Sequence, residues 1–132
     1  MGYLLDTNIV SDLVRNPRGR VQSRLAENGD EQVVTSIIVA AALRYGAARK
    51  GSPRLRAQLE TVLGALEILS LDPPVDRIYG DLRAGLEAMG KPIGSNDMLI
   101  AAHALALGCT LVTDNEREFS QVKQLSIENW LR

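Results

Sequence analysis

Cysteine is almost missing from this chain: Cys109 is the single one in 132 residues. One thiol excludes an internal disulfide framework and suits a reducing cytoplasm. It lies in the apolar run Cys109–Val112 and reads as a buried structural thiol. Histidine is equally scarce, with His103 alone, so no cluster of sulfur and imidazole ligands exists for zinc. Aromatic residues make up 4%, which excludes extensive stacking on nucleic-acid bases. An excess of charge of one sign is also missing: 15 basic residues oppose 16 acidic ones, for a net charge of -1. That balance excludes a protein whose entire surface grips nucleic acid. It leaves room for an enzyme with an acidic, cation-attracting site and a basic rim. No window approaches the roughly 18 apolar residues of a membrane span. The opening Met1–Asp6 is too short, and lacks the basic lead, for a signal peptide. A cytoplasmic protein that does not enter a membrane is expected.

What is present is an ordinary globular composition, 45% apolar and 23% charged, sized for one domain over residues 1–132. Tyr3–Leu5 reads as a buried strand, followed by the capping-type residues Asp6, Thr7 and Asn8 and an apolar helical spacing to Val14. Val21 and Leu25 mark a short helix, and Gln32–Thr35 a second strand. Ser36 opens a long helix that stops at Gly51. The stripe Leu55, Leu59, Val62, Leu63 and Leu66 makes another, and together they predict a protruding helical hairpin. A strand at Ile68–Leu71 and a helix through Ile78, Leu82 and Leu86 follow. Next come an alanine-rich helix capped by Ser95, a strand at Thr110–Thr113 and a short fifth strand at Leu125–Ile127. Strands alternating with helices predict an α/β fold with a central, mostly parallel sheet flanked by helices.

In such sheets ligands bind at the carboxyl ends of strands, near a switch in strand order. Asp6 directly follows the first strand, Asp114 follows the fourth, and Asp97 lies in the first turn of the Ser95 helix. An aspartate after a strand is often only a helix cap, and Asp6 read alone supports either role. Three such acids from distant parts of the chain, gathered at one sheet edge, repel one another unless a cation joins them. Oxygen ligands of this kind favour Mg²⁺ or Mn²⁺. Such ions activate water and stabilise the charge on a phosphate under attack, which points to phosphodiester hydrolysis. Asn8, Ser36 and Thr113 are polar residues at strand ends that can orient carboxylates, cap helices, or do both. His103, six residues beyond Asp97, falls on the far side of its helix and reads as structural. Glu118 lies within reach of the site's rim, or is solvated like Glu116. Arg15, Arg18, Arg20 and Arg24, and separately Arg44, Arg49, Lys50, Arg54 and Arg56, are basic groups that either meet RNA phosphates or form an exposed charged face.

At this point the residues resemble a known family. Leu4–Asn8 is similar to the first motif of PIN-domain nucleases, in particular VapC-type toxins. Gly94–Ala104 resembles the third motif, Leu111–Asn115 with Arg117–Phe119 the fourth, and Ile127–Trp130 the usual ending. Four motifs in order cover essentially the whole chain. The resemblance implies a Mg²⁺-dependent endoribonuclease of PIN-like fold, the toxin of a toxin–antitoxin pair. Asp6 and Asp97 become metal ligands and Asp114 a supporting acid. It further implies a homodimer whose active-site groove is covered by a cognate antitoxin, and transfer RNA as substrate with ribosomal and messenger RNA open. Ser36–Gly46 resembles the second motif but departs from it: the glutamate expected before Leu43 is replaced by Ala42. A methyl group neither binds a cation nor orients water, so weak or absent turnover is expected. An introduced inactivating change and a naturally degenerate member both account for it.

Two rivals share parts of this pattern. A phosphatase using a nucleophilic aspartate after its first strand needs a second aspartate two residues on, where this chain has Asn8. A non-catalytic PIN-like module that docks RNA or a protein partner draws its support from Ala42.

Overall fold

The computed structural model describes residues 2–132. Along the chain the elements are β1 (Tyr3–Leu5), α1 (Thr7–Arg15), α2 (Arg20–Glu27), β2 (Val33–Ser36), α3 (Ile37–Lys50) and α4 (Pro53–Gly64). They continue with β3 (Glu67–Leu69), α5 (Val75–Ala88), α6 (Ser95–Leu107), β4 (Thr110–Val112), α7 (Glu116–Phe119) and β5 (Ile127–Glu128). The five strands form one sheet in the order β3-β2-β1-β4-β5, and each neighbouring pair is parallel. The expected α/β architecture is therefore present.

Local chemistry accounts for the boundaries. Asp6 caps α1 by accepting a hydrogen bond from the Thr7 N–H. Ser36 caps α3 through the Ile38 N–H, and Gly51 ends that helix with φ 64°, a left-handed conformation that favours glycine. Ser52 caps α4, with Pro53 in the first turn. Leu4, Leu5, Leu111 and Val112 are fully buried in the central strands β1 and β4. Burial on both faces explains why these short strands read as continuous apolar runs. Trp130 closes one end of the core, its ring 5.2 Å from that of Tyr3.

Three details depart from expectation. Strand ends shift by one or two residues, with β3 at Glu67–Leu69 and β5 at Ile127–Glu128. Ser95 does not cap α6: the cap is Gly94, whose carbonyl takes the Met98 N–H at 2.9 Å and which offers no side chain. And α7, four residues long, is too short to produce a periodicity in sequence. The α3–α4 hairpin packs its inner side on α1, so it shapes a groove beside the first strand's exit.

The arrangement that positions a site is the reversal of strand order at β1. From β1 the chain builds outward through β2 to β3, then returns to the other side of β1 with β4 and β5. Leu5 is in register with Val112. The next residue on each strand, Asp6 and Thr113, therefore emerges side by side at the carboxyl end, where α/β sheets bind ligands.

Candidate active site

Asp6 lies at the centre of this crevice and is only 3% exposed. Its Oδ1 accepts from the Thr7 N–H at 2.7 Å. Its Oδ2 accepts from Thr113 Oγ1 at 2.7 Å and, more weakly, from Asn8 Nδ2 at 3.5 Å. Burial raises the pKa of this carboxyl above its ordinary value, and the charge of Glu118 adds to the rise. The bonds from Thr113 and Thr7 oppose both.

Asp97 comes to the same place from the first turn of α6. Its carboxyl is pushed up to about 6, chiefly by burial, then by the charges of Glu118 and Asp6 and by a hydrogen bond to Glu118. Asp97 therefore holds a proton more readily than an isolated acid does.

Glu118, on α7, is thus a full member of the acidic cluster rather than a rim residue. Its Oε1 accepts the backbone N–H of Gly94 at 3.0 Å and its Oε2 accepts Asn115 Nδ2 at 2.6 Å. Asn115 is itself oriented by a bond from its backbone N–H to Thr113 Oγ1, 2.9 Å. Thr113 therefore links the two halves of the cluster, touching Asp6 directly and Glu118 through Asn115.

Asp114 does not join them. Its carboxylate is exposed and accepts from Asn129 Nδ2 at 3.0 Å, while its backbone N–H donates to Asn8 Oδ1 at 3.0 Å. Both residues lie past the end of β4: Thr113 aims its hydroxyl at Asp6, and the bend at Asp114 turns the next side chain out to Asn129. Asn8 accordingly has a bridging role, its amide near Asp6 and its carbonyl oxygen on the Asp114 backbone.

Ser36 is also directed elsewhere. Its buried hydroxyl accepts the Ile38 N–H at 3.1 Å and lies 2.9 Å from His103 Nδ1. With that oxygen accepting from the backbone, the hydroxyl proton is free to point at Nδ1, which leaves the other ring nitrogen protonated. Burial lowers the pKa of His103, and the neutral ring joins α6 to the end of β2. It is a structural histidine.

Ala42 lies half-buried on α3, lining a cavity of about 160 Å³ with Ser11, Arg15, Leu43 and Gly46. This cavity runs along α1, whose first turn carries Asp6 as its cap, and it has room for a longer side chain at position 42. Among the described residues no group of three or more acids, histidines or cysteines is placed to hold a metal ion by itself. The donors that do gather are hard carboxylate oxygens, two of which, on Asp6 and Asp97, have pKa values raised by burial first and by neighbouring negative charge after it. Such a set suits a hard divalent cation.

Residues 3–125 match the family described as the PIN domain. The chain is 42% identical over 130 residues to Ribonuclease VapC2 of Haemophilus influenzae, covering 98% of both proteins. It is 33% identical to the tRNA(fMet)-specific endonuclease VapC of Shigella flexneri, covering 97% of each. Among solved structures it is similar to a chain of VapBC2 from Rickettsia felis bound to a DNA fragment from its promoter. The TM-score there is 0.93 at 36% identity, over 98% of this chain and 99% of that one.

Proposed function

We propose a function on one premise: the chain belongs to the PIN-domain family, among its VapC-type ribonucleases. It is the toxin half of a toxin–antitoxin pair, a metal-dependent endoribonuclease whose cleavage is impaired in this sequence by Ala42. The observation that carries the reading is the convergence of Asp6, Asp97 and Glu118 at the β1–β4 switch point, with Asp97 raised to about 6 by burial first and by its acidic neighbours second.

In this reading Asp6 and Asp97 are the principal holders of Mg²⁺, or Mn²⁺ in its place, and Glu118 takes the supporting position that the family resemblance assigns to Asp114. A cation bound there would activate water and stabilise charge on the phosphate being attacked. The chain's own residues prepare the place. Thr113 and the Thr7 N–H hold the Asp6 carboxylate in one orientation. Gly94 and Asn115 do the same for Glu118. Asp97 would hold the cation through its deprotonated carboxylate. Position 42 is the gap: a glutamate there would add the fourth carboxylate from α3.

The partner is a cognate antitoxin lying over the active-site groove, the toxin is a cytoplasmic homodimer, and the substrate is transfer RNA. Support comes from the relatives' names and from the likeness to a toxin–antitoxin complex.

Restoring the acid tests the chemistry. Ala42→Glu is expected to cleave transfer RNA in Mg²⁺ or Mn²⁺ and to stop when the cation is chelated. If the restored protein cleaves no RNA in either metal, the chain is instead a docking module, the reading that Ala42 favours.

A further inference from the structure

A second feature of opposite charge lies at the other end of α1. Between Ser11 and Ala26 the chain carries Arg15, Arg18, Arg20 and Arg24 against one acid, Asp12, in a protein whose net charge is -1. The fold collects the first three around an open cleft of about 540 Å³ at the α1–α2 turn, together with Asp12, Asn16 and Leu131.

The arginines there are unspent. Arg24 is drawn off to Glu128 at 3.2 Å, and Arg44, Arg83 and Arg132 also have carboxylate partners. Among the described residues Arg15, Arg18 and Arg20 form no ion pair: Arg15 donates to Ser11 Oγ at 2.9 Å and Arg20 to the Leu131 carbonyl at 3.1 Å. Each guanidinium offers five donors in a planar fork, so most remain available. Asp12, the acid in the cleft, is occupied by Asn16 Nδ2 at 2.8 Å.

The cleft is also held in shape. The Gly19 N–H bonds to the Asn16 carbonyl at 2.9 Å, and a Cβ on Gly19 would meet Asn16 at 3.1 Å. The tight turn places Arg18 at its apex between the other two. Arg15 lines both this cleft and the cavity beside Ala42, so the two adjoin at its side chain. Nine residues of α1 separate its Asp6 cap from its end, about 13 Å at 1.5 Å per residue. That is the length of a few nucleotides of backbone.

We propose that the cleft lined by Arg15, Arg18 and Arg20 binds phosphates of the RNA strand a few nucleotides from the bond under attack. The inference rests on the endoribonuclease reading of the acidic site. Guanidinium forks match phosphate oxygens in pairs, and a strand laid along α1 passes from the basic turn to the acidic crevice. The cluster gives an acidic protein local affinity for RNA and opposes the repulsion between the strand and the carboxylates.

The test uses the Ala42 chain as it stands, which separates binding from cleavage. A fluorescently labelled single-stranded RNA of twelve nucleotides is titrated at several salt concentrations. The triple variant R15A/R18A/R20A is expected to bind at least about tenfold more weakly, with the salt slope reduced by about 2, near 0.7 per lost phosphate contact. R15A/R18A keeps the Arg20 clasp on Leu131 and is expected to lose part of the affinity with unchanged thermal stability. Unchanged RNA affinity in both variants overturns the proposal, as does an equal loss from R49A/R54A on the hairpin, which would mark general attraction. Loss of poly-L-glutamate binding with RNA affinity intact gives the cleft to an acidic protein segment and also overturns it. Failure of Ala42→Glu to cleave is read separately and bears on the acidic site alone.

Discussion

The two ends of α1 carry opposite charges, and they are built in opposite ways. At its amino end, Asp6, Asp97 and Glu118 come from three separate segments of the chain and are forced together by the sheet's topology. At its carboxyl end, Arg15, Arg18 and Arg20 are neighbours in sequence, held by one tight turn. The acidic cluster is partly buried, and the pKa values of Asp6 and Asp97 are raised by that burial and by neighbouring negative charge. The basic one is exposed and meets water freely. Bringing like charges into a crevice is tolerated only where the surrounding core is strong enough to impose it and a cation can relieve it. Bringing them together on a surface turn needs neither.

The most severe way to break the comparison is at Asp6. In the Ala42→Glu background, Asp6→Asn is expected to lower RNA cleavage by about 100-fold or more, beyond the 10–100-fold typical of altered surroundings of a metal. The amide oxygen still accepts from the Thr7 N–H, and its NH2 can donate to the Thr113 hydroxyl oxygen in place of the bond lost there, so a circular dichroism melt should show the fold retained. If cleavage is unchanged, the acidic crevice is not the active site.

Next comes the choice between two acids. Glu118→Gln in the restored protein should weaken cation binding by about 10–100-fold, measured by calorimetry, whereas Asp114→Asn should leave it nearly unaltered. The reverse result would return the supporting role to Asp114.

Thr113→Val removes the hydroxyl that donates to Asp6 and accepts from Asn115. Leaving a buried carboxylate short of a donor is expected to cost about 1–3 kcal/mol of stability, read by urea denaturation. No change would mean that Asp6 is oriented from elsewhere.

A smaller effect follows from titration. Asp97 has its pKa raised from 3.8 to about 6 in the folded protein, so between those values the folded state binds more protons than the unfolded one. Metal-free stability contributed by this group is therefore present at low pH and lost as pH rises through about 6. Asp97→Asn should raise the melting temperature of the metal-free protein at pH 7 and change it little at pH 4. A lowered melting temperature at pH 7 would show that the acids do not repel.

Much of this site is visible in the one-dimensional pattern, because the features that place it are local. Asp6 follows an apolar run and precedes a helix, and Asp97 lies in a helix's first turn; both can be assigned without knowing what packs against them. The gap at Ala42 is visible only through resemblance to a motif, since an alanine among alanines carries no signal of its own. Glu118 was the acid hardest to place. Sequence puts it in an Asn-Glu-Arg-Glu-Phe stretch where nothing separates a solvated glutamate from one turned inward.

The amino-acid sequence by itself determined the alternating strands and helices, their caps, the acids that follow β1 and open α6, and the run of arginines at the α1–α2 turn. These depend on apolar period, capping chemistry and chain neighbours, all of short range. Only the tertiary structure decided which way side chains at one strand end face. Thr113 turns toward Asp6 and Asp114 turns out to Asn129, while the single turn of α7 brings Glu118 back to Gly94. It also directed Ser36 to His103 and away from the crevice. Those choices rest on strand register and on the packing of a four-residue helix, both set by contacts between segments far apart in the chain.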